Sequence, residues 1–368
     1  MTFLRRHAIK LIASAVITIG VLYTVQKGGL KLVPDGGDFD HVHWWALALY
    51  APLFLGMTWF RSVRWRFLLR GIVDLPKRKL AAVSTVGFAA ILLMPFRIGE
   101  LVRPYMIRTK PSERREGDRV VTMTAATSSV VAERVIDGLF LSIVLALVLV
   151  LVPTVHPLPD KVVGLPITVA QVRWSGYAML VLFSIAFTTI AVFYFARAWA
   201  HRATLVVFGV VSKRLAEKLA GIAEKLADGL HVFGRWRDLL GFLVETAAYW
   251  ALNAAGMWVL AYGCGVVHAD GTAITFPEAC GLMGFLGCAI LIPGPPGLLG
   301  VFQAGIYAGM TMYYPTSIVI GPGAAYVFLL YMSQVVLSLV TGAWGLWHES
   351  AGKGLRQELH ELEEAIES

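Results

Sequence analysis

Long apolar runs separated by short polar stretches dominate this chain. About six of them approach the roughly 20 residues that an α-helix needs to cross a bilayer. They lie at about residues 8–25, 44–60, 120–152, 174–196, 239–262 and 321–347. The runs are continuous, whereas the strands of a membrane barrel alternate between apolar and polar residues. The pattern therefore predicts an all-α polytopic membrane protein.

Two further apolar stretches are interrupted by proline and glycine. Residues 81–94 end at Pro95, and basic residues lie on both sides of them. Residues 276–292 run into a segment rich in proline and glycine, and a second apolar piece follows at 301–314. We interpret each as a re-entrant helical hairpin that enters and leaves the membrane on the same face. Such backbone is tolerated only where protein or a polar cavity surrounds it.

Composition supports the membrane class and argues against several others. The 368 residues are 57% hydrophobic and 15% charged, with a mean hydropathy of +0.68, whereas soluble proteins are about one quarter charged. Three cysteines, an odd count without metal-type spacing, argue against a disulfide framework or a metal site. The sequence has no phosphate-binding loop, dinucleotide fingerprint or HExxH motif. We therefore expect no cofactor, no metal and no soluble catalytic domain.

The positions of Lys and Arg predict the orientation in the membrane. Nearly all of the 32 Lys and Arg residues fall on the proposed cytoplasmic side, as the positive-inside rule requires. Both termini are therefore predicted to be cytoplasmic. The basic stretches flank the apolar runs, which favours contact with anionic lipid headgroups over nucleic acid.

The order of spans and hairpins repeats along the chain. Each half, at about 8–152 and 174–347, reads span, span, hairpin, span, and the halves start on opposite sides of the membrane. This layout is typical of transporters with inverted-topology repeats, and we take the repeat as a hypothesis. The membrane domain covers 1–348, including an amphipathic helix on the inner surface at about 203–238. Residues 349–368 form a polar, acidic cytoplasmic tail.

Charged residues enter or border the apolar sequence in one region, 81–137. Arg97, Glu100 and Arg103 are spaced i, i+3 and i+6, so they share one face if this segment is helical. The alternative for Arg97 and Arg103 is a position at the membrane interface, where long basic side chains extend to the headgroups.

A second group of charges falls within the apolar run at 120–152. A span of about 20 residues includes Glu133, Arg134 and Asp137, and Glu133 and Asp137 share a helical face at i, i+4. The three arginines and three carboxylates of both groups balance, so mutual pairing is the economical arrangement for buried charges. Either they form a polar cavity, open to the cytoplasm, whose arginines hold an anionic group such as phosphate, or they only lock the hairpin to its neighbour.

The proline- and glycine-rich segment is a second candidate binding element. Pro293, Gly294, Gly297 and Gly300 interrupt the helix, so backbone amides at the next helix start are available to an anion. The alternative is a tight turn without a ligand. Gln303, one turn later, would line the same space.

One face of the apolar run at 239–262 carries polar residues. Glu245, Tyr249 and Asn253 are spaced i, i+4 and i+8. This stripe either lines the same cavity or places Glu245 at the membrane interface.

Together these motifs resemble the lysylphosphatidylglycerol synthase transmembrane family, the flippase-like membrane domain of bacterial multiple peptide resistance proteins and their stand-alone relatives. The resemblance rests on Arg-Ile-Gly-Glu-Leu-Val-Arg-Pro at 97–104, Val-Ala-Glu-Arg-Val-Ile-Asp at 131–137 and the proline–glycine hairpin, and it covers about residues 8–348. It implies a multi-pass domain of the bacterial inner membrane that moves or accommodates phospholipids or polyprenyl-linked lipids. The matching positions are Arg97, Gly99, Glu100, Arg103, Glu133, Arg134, Asp137, Pro293, Gly297 and Gly300.

Two features depart from the family pattern. The family often has a glutamate after the glycine-rich hairpin, where this chain has Gln303, so proton- or charge-coupled use of that position is not implied. The sequence ends at Ser368 and leaves no room for the soluble aminoacyl-transferase domain. Lysyl transfer to lipid is therefore not expected.

The leading hypothesis is a lipid flippase-like transporter that binds an anionic phospholipid or polyprenyl-linked headgroup between the two hairpins. The first alternative is a membrane-embedded transferase for lipids or glycolipids, with Glu133 and Asp137 as base or metal ligands. The second is a membrane scaffold that recruits partners through the basic face at 203–238 or the acidic tail. The sequence leaves the lipid, the direction of transport and a homo-oligomeric state open.

Overall fold

The computed structural model describes residues 23, 32–70, 72–109, 120–155, 157–163, 165–209, 212, 214, 217, 221, 236–291 and 296–350. Of these, residues 95–97, 190, 193–195, 197, 207–209 and 350 are described through their backbone alone. Several predicted features lie outside the described residues: the first span at 8–25, most of the amphipathic helix at 203–238, Pro293, Gly294 and almost all of the acidic tail.

Within the described ranges the chain is helical and forms no strand, which confirms the predicted all-α class. The α-helices are, in order, α1 (Trp45–Val63), α2 (Trp65–Leu69), α3 (Lys77–Leu93), α4 (Val102–Ile107), α5 (Met123–Leu151), α6 (Val169–Phe195), α7 (Arg197–Gly209), α8 (Trp236–Gly263), α9 (Phe276–Ala289), α10 (Val301–Tyr313), α11 (Thr316–Ile320) and α12 (Pro322–Ser350). The 3-10 segments Gly36–Phe39, Pro95–Leu101 and Pro296–Leu298 precede α1, α4 and α10.

Among the described residues, four helices are long and apolar enough to cross a membrane. They are Trp45–Leu69, which joins α1 and α2, Met123–Leu151 (α5), Val169–Thr189 (within α6) and Pro322–Glu349 (within α12). They correspond to four of the predicted spans, and the predicted span at 239–262 forms α8, a helix of 28 residues. The multi-pass membrane character is thus confirmed, whereas the total number of spans stays a prediction.

The first of these helices continues past the predicted end of its span. The prediction ends the span at residue 60, before Arg61 and Arg64, but the backbone stays helical through Arg64 (φ −60°, ψ −26°) and into α2. Trp65 and Leu68 are fully buried, and their packing holds this last part of the helix inside the protein. Arg61 and Arg64 therefore lie within a candidate span.

The first predicted hairpin is present as a helix that folds back on itself. Met94 is extended (φ −100°, ψ 138°), because the ring of the following Pro95 would clash with Met94 in the helical conformation. From Pro95 onwards the 3-10 segment returns along α3. A Cβ at Gly99 would lie 2.5 Å from the carbonyl oxygen of Ala90, so only glycine permits the close return.

The second predicted hairpin is formed by α9 and α10, which pack along one another. A Cβ at Gly305 would lie 2.7 Å from Cβ of Ala289, and one at Gly309 would lie 2.9 Å from side-chain atoms of Leu282 and Phe285. Small residues at a helix contact let two backbones approach closely. Both segments therefore form paired elements, whereas their re-entrant course in the membrane stays a prediction.

Each hairpin packs on the last helix of the other half of the chain. α3 packs on α12, and a Cβ added at Gly345 of α12 would lie 2.5 Å from the Ala82 carbonyl oxygen of α3. In the same way α9 packs on α5, and a Cβ added at Gly284 of α9 would lie 2.8 Å from Leu145 Cβ of α5. α1 packs along α8, and the 3-10 segment before α10 contacts both α3 and the 3-10 segment before α4. The two predicted halves thus interlock through reciprocal contacts.

Candidate functional site

Arg64 lies at the centre of a buried cluster of charges. Its side chain has no exposed surface, and it donates two parallel hydrogen bonds to Asp137, from Nη1 to Oδ1 and from Nη2 to Oδ2, both of 2.6 Å. Nη1 also donates to Thr246 Oγ1 and Nη2 to Glu133 Oε1, each at 3.0 Å. The planar fork of a guanidinium matches a carboxylate in this way. Arg64 therefore ties the end of α1 to both α5 and α8.

Glu133 is fully buried and accepts hydrogen bonds from three arginines. Besides Arg64, Nη1 of Arg103 donates to Oε2 at 3.0 Å and Nη2 of Arg134 donates to Oε1 at 3.1 Å. Arg103 comes from α4 and Glu133 from α5, so the hairpin and its neighbour are joined by an ion pair. The mutual pairing expected from the sequence is therefore present for this pair.

Arg134 completes the network at its partly exposed edge. Its Nη1 lies 3.5 Å from Asp137 Oδ2, and its Nε lies 3.5 Å from Glu100 Oε2. Glu133 and Asp137 project from the same face of α5, as their i, i+4 spacing predicts. The 3-10 segment of the first hairpin, which carries Glu100, is thereby connected to the same helix.

Aromatic rings enclose the buried guanidinium groups. Cζ of Arg64 lies 4.8 Å from the ring centre of Tyr249 and 5.4 Å from that of Phe242. Cζ of Arg103 lies 4.2 Å from the ring centre of Trp65. A cation over an aromatic face is attracted by the ring quadrupole, and the rings exclude water, which strengthens every charge interaction in the cluster.

The cluster can do two things chemically. Since a buried charge is stable only when it is paired and hydrogen-bonded, the ion pairs fix α1, α4 and α5 against one another. The hydrogen bond from Arg64 to Thr246 adds α8. The cluster also presents guanidinium donors inside helices long enough to cross a membrane, and these are suited to an anionic group. Among the described residues, no group of three His, Cys, Asp or Glu side chains has the arrangement of a metal site.

The structure gathers five of the predicted site residues in this cluster, namely Glu100, Arg103, Glu133, Arg134 and Asp137. The side chain of Arg97 lies outside the described part of the chain. Glu245 pairs instead with Arg66 of α2, at 2.5 Å. Asn253 is half-buried and lies about two helical turns beyond Glu245 on α8.

The glycine turn of the second hairpin is held by its own hydrogen bonds. Gly297 and Gly300 have positive φ angles of 69° and 84°, which glycine adopts without strain. The hydroxyl of Tyr331 donates to the Gly297 carbonyl at 3.1 Å, and Oε1 of Gln303 accepts from the Gly300 N–H at 2.6 Å. Gln303 is buried and caps the start of its own helix, α10.

Sequence reasoning assigns no role to Arg64, although it has the most central position in the cluster. The sequence does contain a local signal that the helix continues past residue 60. Arg61 and Arg64 are spaced i, i+3, as on one face of a helix, and the apolar Trp65 follows directly. Its partners carry no such local signal, since Asp137 and Thr246 are 73 and 182 residues away in the sequence.

A smaller polar cluster lies at the start of α9. Glu278 is buried and accepts from the Thr275 N–H at 2.8 Å and from the Tyr314 hydroxyl at 3.1 Å. Its Oε1 lies 3.0 Å from Nε2 of His268, and Nδ1 of His268 lies 3.2 Å from the Tyr313 carbonyl oxygen. This cluster joins the loop before α9 to the end of α10, opposite the glycine turn.

Comparison with known proteins gives one result. A family model described as the lysylphosphatidylglycerol synthase TM region matches residues 10–338. No curated protein and no solved structure gives a significant match.

Proposed function

Because the chain belongs to the lysylphosphatidylglycerol synthase transmembrane family, we propose that it is a flippase-like lipid transporter of the bacterial inner membrane. The family itself indicates a membrane protein related to lipid handling. The finer proposal is that the chain binds the headgroup of an anionic phospholipid or polyprenyl-linked lipid while the acyl chains remain in the bilayer.

The observation that carries the proposal is the buried cluster around Arg64 and Glu133. Ionisable groups within membrane-length helices are costly, and where they occur they mark substrate paths more often than not. In this proposal the arginines attract the phosphate of the headgroup. The carboxylates hold the arginines in place and balance most of their charge while the site is empty.

We further propose that both hairpins are re-entrant and that the two halves have inverted topology, with both termini cytoplasmic. The reciprocal contacts of α3 with α12 and of α9 with α5 support this, since corresponding elements of the two halves make corresponding contacts. Transporters with inverted repeats place their substrate where such broken elements meet, near the middle of the membrane.

The transferase alternative requires a carboxylate that is free to accept a proton. Glu133 and Asp137 each accept hydrogen bonds from at least two guanidinium groups, so their oxygens are occupied by arginine donors and are not free to take a proton from a substrate. A positioning role for these carboxylates therefore fits their contacts better.

Transport is tested with the purified protein in liposomes that contain a trace of headgroup-labelled anionic phospholipid. A membrane-impermeant quencher then reports the fraction of label that reaches the outer leaflet. We expect wild type to accelerate exchange between leaflets, Arg103→Ala to abolish the acceleration, and Arg70→Ala to retain it. Arg70 is a suitable control because it directly follows the helix that ends at Leu69, is 47% exposed and pairs with Asp238, outside the cluster.

The result is informative only for variants that elute as folded protein on size-exclusion chromatography. Exchange at the rate of empty liposomes for wild type, with both anionic phospholipid and polyprenyl phosphate, would overturn the proposal. Formation of a new lipid product under the same conditions, detected by mass spectrometry, would favour the transferase.

A further inference from the structure

Arg61 lies one helical turn before Arg64 but, unlike Arg64, pairs with no carboxylate of the described residues. Its Cζ atom lies 4.0 Å from the ring centre of Phe88 and 5.8 Å from that of Tyr249. Among the described residues, its guanidinium forms no ion pair and donates no hydrogen bond, and its Nε is buried without an acceptor. The side chain as a whole is half-buried. Arg61 is therefore a positive charge with unused donors at the edge of the cluster.

Arg103 is only partly satisfied. Arg103 is 1% exposed. Its Nη1 donates to Glu133, whereas its Nε and Nη2 are buried without an acceptor among the described residues. Its Cζ lies 5.4 Å from the ring centre of Phe88, so both guanidinium groups lie against the same ring. The side chain crosses α3 at Gly87, where an added Cβ would overlap Cγ of Arg103. The fold thus holds Arg103 in a place that leaves donors unused.

The other two arginines of the cluster differ in how they are neutralised. Among the described residues, Nε donates no hydrogen bond in any of the four arginines. Arg64 nevertheless pairs with two carboxylates, and Arg134 pairs with three, one of them Glu100 at 3.5 Å from its Nε. The described cluster holds four arginines and three carboxylates, which leaves one positive charge in excess, on the side of Arg61. Buried donors without acceptors are rare in folded proteins, so a missing acceptor is the simplest explanation for those of Arg103.

We infer that Arg61 and Arg103 together bind the phosphate group of the substrate, whereas Arg64 and Arg134 only hold the carboxylates in place. The inference rests on the proposed function and assigns the headgroup contact to two residues. Phosphate oxygens accept charge-assisted hydrogen bonds from two guanidinium forks at once. A phosphodiester carries the single negative charge that balances the excess. The rings of Phe88 and Trp65 supply surroundings of low polarity, in which these bonds are strong.

The variant Arg61→Gln tests the site directly because it breaks no ion pair. We expect its empty form to unfold at the wild-type temperature or above it, since it removes an unpaired charge. Binding of fluorescent phosphatidylglycerol, presented in micelles of a neutral detergent, should weaken at least about tenfold. Arg61→Lys keeps the positive charge but lacks the guanidinium fork, so its affinity for phosphatidylglycerol should lie between those of wild type and Arg61→Gln. Arg70→Gln removes an exposed charge outside the cluster and should bind as wild type does.

Competition separates a lipid headgroup from free phosphate, which has the same chemistry. Diacylglycerol has no phosphate and should not displace the probe, and inorganic phosphate should displace it only at concentrations far above that of unlabelled phosphatidylglycerol. Displacement by inorganic phosphate at equal concentration would overturn the assignment to a lipid.

The failure of this inference is distinguishable from the failure of the proposed function. If Arg61→Gln binds phosphatidylglycerol as tightly as wild type while wild type still moves lipid between leaflets, the assignment of Arg61 is wrong and the transporter proposal stands. If wild type neither binds nor moves the lipid, the proposed function itself fails.

Discussion

Arg64 and Asp137 face each other through two parallel hydrogen bonds of 2.6 Å, although 73 residues separate them in the sequence. Neither side chain is more than 6% exposed. The pair joins two helices that are each long enough to cross a membrane, Trp45–Leu69 and Met123–Leu151. Two charges in such a place depend on each other, because neither has water to replace its partner.

Removing one member of this pair should destabilise the protein strongly. Arg64→Gln leaves Asp137 buried without its main partner, which costs about 3–5 kcal/mol. Thermal unfolding in mild detergent, followed by tryptophan fluorescence, measures the loss. The double variant Arg64→Met/Asp137→Leu removes both charges and should recover a large part of the stability. A fall in melting temperature no greater than that of Lys77→Gln, which removes an exposed charge at the start of α3, would contradict this account.

The first hairpin should not tolerate a side chain at Gly99. The substitution Gly99→Ala places a methyl group against the backbone of α3, near the Ala90 carbonyl oxygen, and backbone cannot move aside as a flexible side chain does. We expect little folded, monodisperse protein on fluorescence-detected size-exclusion chromatography. Gly36→Ala is the matched control, because nothing lies within 4 Å of a Cβ at that position, and it should elute as wild type does.

Cysteine labelling in intact cells tests whether the first hairpin is re-entrant. In a background without Cys264, Cys280 and Cys288, single cysteines at the exposed positions Lys77 and Val120 should both react with a membrane-impermeant maleimide only after the cytoplasmic face is opened. These two positions flank the hairpin. Labelling of one from outside and the other from inside would show that the segment crosses the membrane.

For the second hairpin we expect labelling from the opposite side of the membrane. Ala269 and Ser317 are exposed and flank α9 and α10, so cysteines at both positions should react from outside in intact cells. Together with the first pair, this result would give the two hairpins opposite orientation, as inverted halves require. Protection of either position until the cells are opened would contradict it.

Glu278 should stabilise the second hairpin without taking part in lipid binding. Glu278→Ala removes the acceptor for the Thr275 N–H and the Tyr314 hydroxyl. It leaves the buried Tyr314 hydroxyl unpaired at a cost of roughly 1–3 kcal/mol. We expect a lower melting temperature and unchanged affinity for phosphatidylglycerol in protein that remains folded. Thr272→Ala, at an exposed position of the preceding loop, is the control and should leave the melting temperature nearly unchanged. Weaker lipid binding by folded Glu278→Ala would show that this cluster also serves the substrate.

The class of the protein and the ends of several helices follow from the amino-acid sequence alone. Continuous apolar runs must form helices in lipid, where the backbone has no water to bond with, and the structure has helices at the runs it describes. Pro95 ends α3 because of the geometry of the residue before proline. The spacing of Glu133 and Asp137 placed both on one face of a helix, since the helical period is local.

The partners of the charged side chains, by contrast, depend on how the helices pack together. Arg64 contacts Asp137 and Thr246 because the end of α1 packs between α5 and α8 at the positions of these two residues. Glu245, adjacent to Thr246 in the sequence, pairs with Arg66 instead. The role of Gln303 as a cap for its own helix also follows from the local turn that the fold imposes. Periodicity sets the face of a helix on which a residue lies. The rotation and height of each helix against its neighbours are set by side-chain packing over the whole chain, at positions such as Gly87 and Gly345.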